Sequence, residues 1–269
     1  MECNSRKSIQ KQHLERLGMI KHNKQGCLMK VIEYINARNI TVMFLDETKY
    51  VVKNKTWKEF DIGSIINPYY KSVYGIGYSG AKYPTKKNNK HTVEYILWHS
   101  MFVRCYSDIS TLTRPTYENI TIDKEWHNYE QFYEWIHGQE NYDYYINSSE
   151  RLCLDKDILQ KNNKIYSPIF CTLVPERINK LFTKRQNKRG ECPIGVHMEN
   201  NRYIASCSNG SKDTIKYLGS YLTPQEAFLA YKKYKEKLIK SIALEEFNKG
   251  SITKKCFDSM NNYKVEISD

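Results

Sequence analysis

Three features that would assign the chain to a class of protein are missing from its 269 residues. No apolar run approaches the ~20 residues that cross a bilayer, so we expect no transmembrane segment and no membrane partner. The polar start, residues 1–7, leads into no apolar segment of a secretory signal, and we therefore expect a cytoplasmic protein. The eight cysteines include no Cys-x-x-Cys pair, which argues against a zinc ribbon or zinc finger and favours reduced, mostly buried thiols.

Acidic residues are also in short supply. The chain has 42 Lys and Arg against 30 Asp and Glu, which gives a formal charge of +12 at pH 7. Hydrophobic residues make up 40% of the chain, enough to form cores and too many for a disordered protein. The composition therefore indicates a folded basic protein, which is suited to a partner rich in phosphate groups.

Periodicity and composition divide the chain into five segments. They are a basic arm, a small β-barrel-like module, a central region of helices and short strands, a basic linker, and a C-terminal domain with an extension, at residues 1–25, 26–70, 71–182, 183–192 and 193–269. In the central region, apolar residues at helical spacing predict helices over 92–106 and 126–137.

A glycine-spaced stretch, Val73 to Gly80, superficially resembles a phosphate-binding loop. Such a loop needs a preceding parallel strand and a helix that follows at once, so that the helix N-terminus meets the phosphate. Here the polar, proline-interrupted stretch Lys82 to Lys90 follows instead. We therefore exclude a nucleotide site and expect the glycines to shape a hairpin or a bulge.

The C-terminal domain has the clearest pattern. Three short β-like runs are separated by turn residues at 199–201 and 209–211. The sequence Thr223-Pro224-Gln225-Glu226 then combines an N-cap threonine, a proline at the first helical position and an acid in the first turn, so a helix begins there. We expect a three-stranded antiparallel sheet packed on one helix.

Four short sequences within this domain occur in a familiar order. They are Ile194-Gly195-Val196, Arg202-Tyr203-Ile204-Ala205, Tyr217-Leu218-Gly219-Ser220-Tyr221 and Thr223-x-x-Glu226-Ala227-x-x-Ala230-Tyr231. Together they resemble the ethylene-response-factor (apetala-type) DNA-binding domain over roughly residues 190–245. The resemblance implies that the sheet lies in the major groove of double-stranded DNA, which admits β-ribbons as well as helices.

By this resemblance, the sheet face that lies away from the helix is expected to contact DNA. Its members, together with two neighbouring cations, are His197, Glu199, Arg202, Ser206, Ser208, Lys216 and Tyr217. The linker is expected to add backbone contacts through Lys184, Arg185, Lys188 and Arg189. Residues 180–249 carry 14 Lys and Arg against 7 Asp and Glu, a surplus that suits phosphate contacts. The alternative is a solvated polar face without a ligand.

The central region carries a second set of motifs. They are Trp98-x-x-Met101-x-x-Arg104-Cys105-Tyr106, Ile120-Thr121-Ile122-x-x-x-Trp126-x-x-Tyr129-x-x-Phe132, Leu154-Asp155-Lys156-Asp157 and Tyr166-Ser167-Pro168-x-x-Cys171-x-x-Val174. They look like a class of phage proteins described as HNH-like or homing endonucleases, many of which carry the apetala-type domain behind them. The predicted fold class is α+β, with a small N-terminal β module, a central nuclease-like α+β region and the C-terminal sheet on one helix.

The resemblance implies a metal-dependent nuclease, but two expected residues are replaced. An HNH site uses a histidine at the end of its first strand to activate water, and an Asn or His later in the motif to help bind a divalent cation. Lys156 stands in the place of the histidine, and Phe170 in the place of the asparagine. Phenylalanine cannot bind metal, and a lysine near its usual pKa of ~10.4 is a poor base.

Two substitutes for the missing groups are available in the sequence. Asp155 and Asp157 are two residues apart, so on a strand they share a face and can hold Mg²⁺ or another divalent cation. His99 on the preceding helix can supply a base. The candidate catalytic residues are thus Asp155, Lys156, Asp157 and His99, with the two aspartates as metal ligands. The alternatives are that the aspartates flank a turn or pair with lysines, and that His99 is a surface residue beside a core tryptophan.

Three functions follow from these patterns. The first is a phage-type homing endonuclease that cleaves phosphodiester bonds of duplex DNA in the host cytoplasm. The second is a catalytically inactive DNA-binding protein that acts by occupying its site. The third is a phage inhibitor of a host system that depends on nucleic acid, with a protein partner that the sequence does not identify.

Overall fold

The structure, a computed structural model, describes residues 13–109, 119–183, 191–210, 215–267 and 269. It confirms the predicted mixed α+β class. The chain divides into two compact units, which comprise Met1–Pro84 with Asn128–Glu130, and Thr85–His127 with Gln131–Asp269. Within the described residues, no helix combines the length and the apolar composition needed to cross a membrane.

The first unit is built on a four-stranded antiparallel sheet. Its strands follow chain order, β1 (Ile20–His22), β2 (Leu28–Asn36), β3 (Asn39–Phe44) and β4 (Val51–Lys55). Helix α1 (Trp57–Asp61) follows the sheet in the chain. Its N-cap is Thr56, whose hydroxyl accepts the N–H of Glu59 while the Glu59 carboxylate accepts the N–H of Thr56. The core beneath the sheet consists of Met29, Val31, Tyr34, Ile40, Val42, Phe44, Phe60 and Ile65.

Strand β1 lies inside the segment that the sequence assigns to the arm. All three of its residues are exposed, and it joins the sheet through its pairing with Met29 and the neighbouring residues of β2. A strand that contributes backbone hydrogen bonds without burying side chains leaves no alternating apolar pattern in the sequence. The predicted boundary at residue 26 misses it for this reason.

The central part of the second unit is a helical layer with short strands, and the first two residues of one of its helices, Tyr129 and Glu130, belong to the first unit. In order, its elements are β5 (Lys86–Lys87), β6 (Lys90–His91), α2 (Val93–Tyr106), β7 (Thr121–Ile122), a 3₁₀ turn (Lys124–His127), α3 (Tyr129–His137), α4 (Tyr142–Asn147), β8 (Leu152–Asp155), β9 (Ile165–Tyr166), β10 (Thr172–Pro175) and α5 (Glu176–Leu181). Trp98, Phe102, Trp126 and Phe132 are fully buried, and the indole N–H of Trp98 donates to the carbonyl oxygen of Trp126 at 2.8 Å. The aromatic residues that recur at helical spacing in the sequence therefore form the core of this layer.

Strands β8 and β10 pair antiparallel and lead directly into α5. Asp155, the last residue of β8, lies opposite Thr172, the first residue of β10. The connection between them carries β9, which pairs in parallel with β7. The segment that resembles the nuclease motif is therefore a hairpin followed by a short helix, held to the helical layer by β9.

The C-terminal part contains the predicted sheet on a helix. Strands β11 (Val196–Glu199), β12 (Arg202–Ser208) and β13 (Ile215–Tyr221) form an antiparallel sheet, which packs on α6 (Pro224–Asn248), and α7 (Lys254–Asn261) packs on α6 in turn. The helix begins where the sequence predicts, because Thr223 and Glu226 cap each other through reciprocal side-chain to backbone hydrogen bonds, each of 3.3 Å.

A buried carboxylate ties three helices of the central layer together. Glu94 of α2 accepts a short hydrogen bond from the hydroxyl of Tyr142 in α4, and Nε2 of His137 in α3 lies 3.2 Å from the same oxygen. Burial on its own raises the pKa of Glu94, but the hydrogen bonds from Tyr142, the backbone and His137 outweigh it and hold the pKa below its usual value.

Replacing Glu94 should make stability less dependent on pH. A folded-state pKa below the unfolded value of ~4.3 means that the contribution of Glu94 is present above that pH and is lost as the pH falls through the folded pKa. We expect Glu94→Gln to lower the free energy of unfolding by about 1 to 2 kcal/mol at neutral pH and by much less at a second pH that lies below the folded pKa of this group. Urea denaturation at the two pH values measures this, with the exposed carboxylate variant Glu140→Gln as control. Equal behaviour of the two variants would contradict the assignment.

Candidate nucleic-acid interface

Cross-strand pairing assigns each residue of the C-terminal sheet to one of its two faces. Val196 pairs with Ala205, and both are buried against α6, as is Cys207. Because side chains alternate along a strand, the pair that follows, His197 and Ile204, lies on the opposite side. We call this side the outer face, and it consists of His197, Glu199, Arg202, Ile204, Ser206, Ser208, Ile215, Tyr217 and Ser220.

A β-bulge decides which residues of β13 reach the outer face. Gly219 pairs with Ala205, but the next pair along is Tyr217 with Ser206, so Leu218 is an extra residue. Gly219 has φ +137°, a backbone conformation that favours glycine. Without the extra residue, Tyr217 would lie on the same side as Gly219 and point at the helix. With it, Tyr217 lies on the outer face and is 62% exposed.

The same bulge decides where Lys216 lies, a cation that the sequence places close to the outer face. Lys216 pairs with the buried Cys207, and its ammonium group lies 4.9 Å from the ring centre of Tyr234 in α6. The lysine therefore lies along the edge between sheet and helix, where it makes a cation–π contact. His197, Ser206, Ser208 and Tyr217 lie on the outer face as the sequence predicts.

Arg202 is the one arginine of the outer face, and its side chain is oriented by a neighbour. Nε donates to the hydroxyl of Ser220 at 2.8 Å, and Nη2 donates to the Ser220 carbonyl oxygen at 3.1 Å. Nη1 has no hydrogen-bond partner within the described part of the chain. A guanidinium held in this way is preorganised to donate to an acceptor above the sheet.

Sequence reasoning did not select three other residues of the outer face. Ile204 and Ser220 lie beside His197 in paired positions, and their alternation with buried residues is the signal that would have found them. Ile215 is 73% exposed, next to Ser208. The predicted linker contacts, Lys184, Arg185, Lys188 and Arg189, lie outside the described residues.

The predicted catalytic residues lie in a closed turn after β8. Oδ1 of Asp155 accepts the N–H groups of Asp157 and Ile158, each at 2.8 Å. Burial raises the pKa of Asp155, and these two N–H donors act in the opposite direction. Asp155 therefore holds the turn in shape, as an aspartate commonly does at such a position.

Lys156 is only 7% exposed, and its ammonium group donates hydrogen bonds to three oxygen atoms. Its ammonium group donates to both carboxylate oxygens of Asp157, at 2.8 and 2.7 Å, and to the carbonyl oxygen of Asn163 at 2.9 Å. The amide of Asn163 donates back to the carbonyl oxygen of Lys156 at 2.9 Å. These hydrogen bonds engage the Lys156 ammonium group within the turn.

This arrangement does not fit a magnesium site. A magnesium ion needs several oxygen ligands at ~2.1 Å, but the Lys156 ammonium occupies the position in front of Asp157, and Oδ1 of Asp155 already serves two N–H groups. Phe170, in the place of the expected asparagine, offers no ligand atom. Within the described residues, no group of three or more His, Cys, Asp and Glu is placed to hold a metal ion.

His99 has contacts with residues outside this turn. Its ring stacks on Tyr95 with centroids 5.9 Å apart, and burial together with the nearby His91 lowers its pKa. Among the described residues, it makes no hydrogen bond with Asp155, Lys156 or Asp157, whose partners are those given above. The contacts do not assemble the predicted base and the predicted metal ligands into one site.

The sheet is held on α6 by an unusually close contact. Gly195 precedes β11 with φ +75°, and a Cβ atom at this position would lie 2.0 Å from the ring of Tyr231 in α6. Tyr231 is buried. The glycine and the tyrosine belong to two of the motifs that suggest the apetala-type resemblance, and the contact brings these two motifs together in the fold.

Gly195→Ala should be far more destabilising than Gly250→Ala. Both glycines have φ +75°, so both substitutions incur the cost of a left-handed conformation, about 1 to 2 kcal/mol. A Cβ atom added at Gly250 would have no atom within 4 Å, whereas one added at Gly195 meets the Tyr231 ring. We expect Gly195→Ala to cost at least about 2 kcal/mol more, because the sheet must move away from the helix. Urea denaturation of both variants measures the difference, and equal losses would contradict the close contact.

Function has to be inferred from the residues and contacts of this chain. Comparison with protein-family models, curated proteins and solved structures found no match. The resemblance to the apetala-type domain therefore rests on the sequence pattern over residues 190–245.

Proposed function

We propose that the protein binds double-stranded DNA through the outer face of its C-terminal sheet and acts by occupying its site, without cleaving the DNA. The observation that carries this proposal is the outer face itself. It combines the oriented guanidinium of Arg202 with the exposed Tyr217 and the side chain of His197, on a sheet fixed to a helix. Rigid elements position base-reading side chains better than loops do.

The chemistry of these groups suits the edges of base pairs. Arginine donates to the O6 and N7 acceptors of guanine in the major groove, and serine hydroxyls pair with several base edges. Tyr217 adds a hydroxyl and an apolar ring, and Ile204 and Ile215 offer apolar contact to thymine methyl groups. The net charge of +12 supplies the general attraction to phosphate.

The turn at 155–157 supports the non-cleaving part of the proposal. Lys156, Asp157 and Asn163 are joined by hydrogen bonds that stabilise the connection between β8 and β9. The hydrogen bonds among these three residues would have to break before their side chains could bind a metal ion or a water molecule. Their arrangement favours a structural role in a scaffold that supports the DNA-binding domain.

Cleavage of DNA is the second candidate function, and one observation favours it. The hairpin β8–β10 runs directly into α5, which is the order of elements that an HNH-like motif requires. In that case Asp155 would act as a metal ligand with help from groups beyond those that contact it here. The two candidates share every binding property and differ only in whether the bound DNA is cut.

Replacing Arg202 should change sequence preference. Arg202→Gln removes the donor pair suited to guanine, so we expect roughly 10- to 100-fold weaker binding to the preferred sequence and relaxed selection at one position. Selection from a library of random duplexes, followed by sequencing, measures the profile of each variant. Lys216→Gln is the control, because it removes one positive charge from the same sheet at a side chain that faces the helix. Identical profiles for wild type and Arg202→Gln would mean that the outer face does not read bases.

A further inference from the structure

A short β-hairpin before α2 carries a concentrated positive charge. We call residues 85–92 the basic hairpin. Its strands pair Lys86 with His91 and Lys87 with Lys90. The turn between them consists of Asn88 and Asn89, with φ of +51° and +61°, as a two-residue turn of type I′ requires. The lysines are therefore presented by a defined turn.

Within the part of the chain that the structure describes, no carboxylate neutralises the charges of the basic hairpin. Lys86, Lys87 and Lys90 are exposed, and none of them forms an ion pair with a carboxylate of the described residues. The sequence contains no Asp or Glu from Ser72 to Val93. Lys87 and Lys90 lie directly opposite each other, and like charges in paired positions repel. Binding of an anion at this place would relieve that repulsion.

The basic hairpin is anchored to a packed helix. The N–H of Thr92 donates to the carbonyl oxygen of Thr85 at 3.1 Å, and Nδ1 of His91 lies at the same distance from that oxygen. The His91 ring stacks on Tyr95 of α2, with centroids 4.6 Å apart and an interplanar angle of 16°. Thr92 also caps α2, because its hydroxyl accepts the N–H of Tyr95. These contacts reduce the conformational freedom that the lysines would otherwise lose on binding.

We propose that the basic hairpin binds the phosphodiester backbone of the DNA duplex that the outer face contacts. The proposal rests on the proposed function, and it supplies what the outer face lacks. Among the described residues, the outer face carries one arginine and one glutamate, Arg202 and Glu199, so it offers little attraction to phosphate. Lysine ammonium groups bind phosphate as point charges and do not distinguish bases. The hairpin therefore contributes affinity, and the sheet contributes sequence preference.

The test compares two triple variants with the same loss of charge. One is Lys86→Gln with Lys87→Gln and Lys90→Gln. The control replaces the exposed lysines of α6, Lys233, Lys237 and Lys240, by Gln. Binding to a preferred and to an unrelated duplex is measured at increasing salt concentration. We expect the hairpin variant to reduce the slope of log affinity against log salt by roughly 2 to 3 units on both duplexes, with an unchanged selection profile.

Each outcome of this test has a separate meaning. A hairpin variant whose slope equals that of wild type, or that of the α6 control, overturns the hairpin contact and leaves the proposed function standing. Wild-type protein without salt-dependent affinity for duplex overturns the proposed function, and the hairpin contact with it. Lysine acylation of the wild-type protein gives an independent readout should the variant misfold. DNA should protect Lys86, Lys87 and Lys90 and leave Lys237 reactive, and equal reactivity at all four overturns the proposal.

Discussion

The contact between Gly195 and the ring of Tyr231 is the constraint on which the C-terminal domain depends. It lets the start of β11 approach α6 closely enough for Val196 and Ala205 to bury their side chains against the helix. Once these residues face inward, the alternation of a strand turns His197 outward. The composition of the outer face is thus a consequence of how the inner face packs.

The bulge at Leu218 adds the second determinant of that surface. The extra residue reverses the sides of the sheet on which Tyr217 and Lys216 lie. Tyr217 is therefore exposed on the outer face, and the Lys216 ammonium group contacts the ring of Tyr234. A bulge changes which side chain a strand presents while leaving the rest of the pairing intact. Together, the packing and the bulge produce a surface with aromatic, hydroxyl and guanidinium groups and almost no net charge. Under the proposed function, attraction to the phosphates of DNA would then come from cations elsewhere in the chain.

Local signals in the sequence were sufficient for much of the fold. The Thr223 to Glu226 cap fixes the start of α6 within one turn, and the sheet on this helix follows from three short runs with clear turns. Features that depend on which particular side chains pair with each other were not predictable in the same way. The closed turn of Lys156 requires Asn163, seven residues later, whereas the sequence predicts metal binding by Asp155 and Asp157, with a turn or pairing to lysines as the alternative. The polar, proline-interrupted stretch Lys82 to Lys90 gives no hairpin signal in the sequence, because its Asn-Asn turn has no apolar flanks.

The protein is proposed to bind DNA without cleaving it, and one measurement tests both properties. The protein is incubated with supercoiled DNA from the genome that encodes it, in Mg²⁺, Mn²⁺ or EDTA, and the products are separated at several salt concentrations. The account predicts a retarded complex that weakens with salt and a plasmid that stays supercoiled under all three conditions. Metal-dependent nicking that Asp155→Ala abolishes would contradict it, and so would the absence of any salt-sensitive complex.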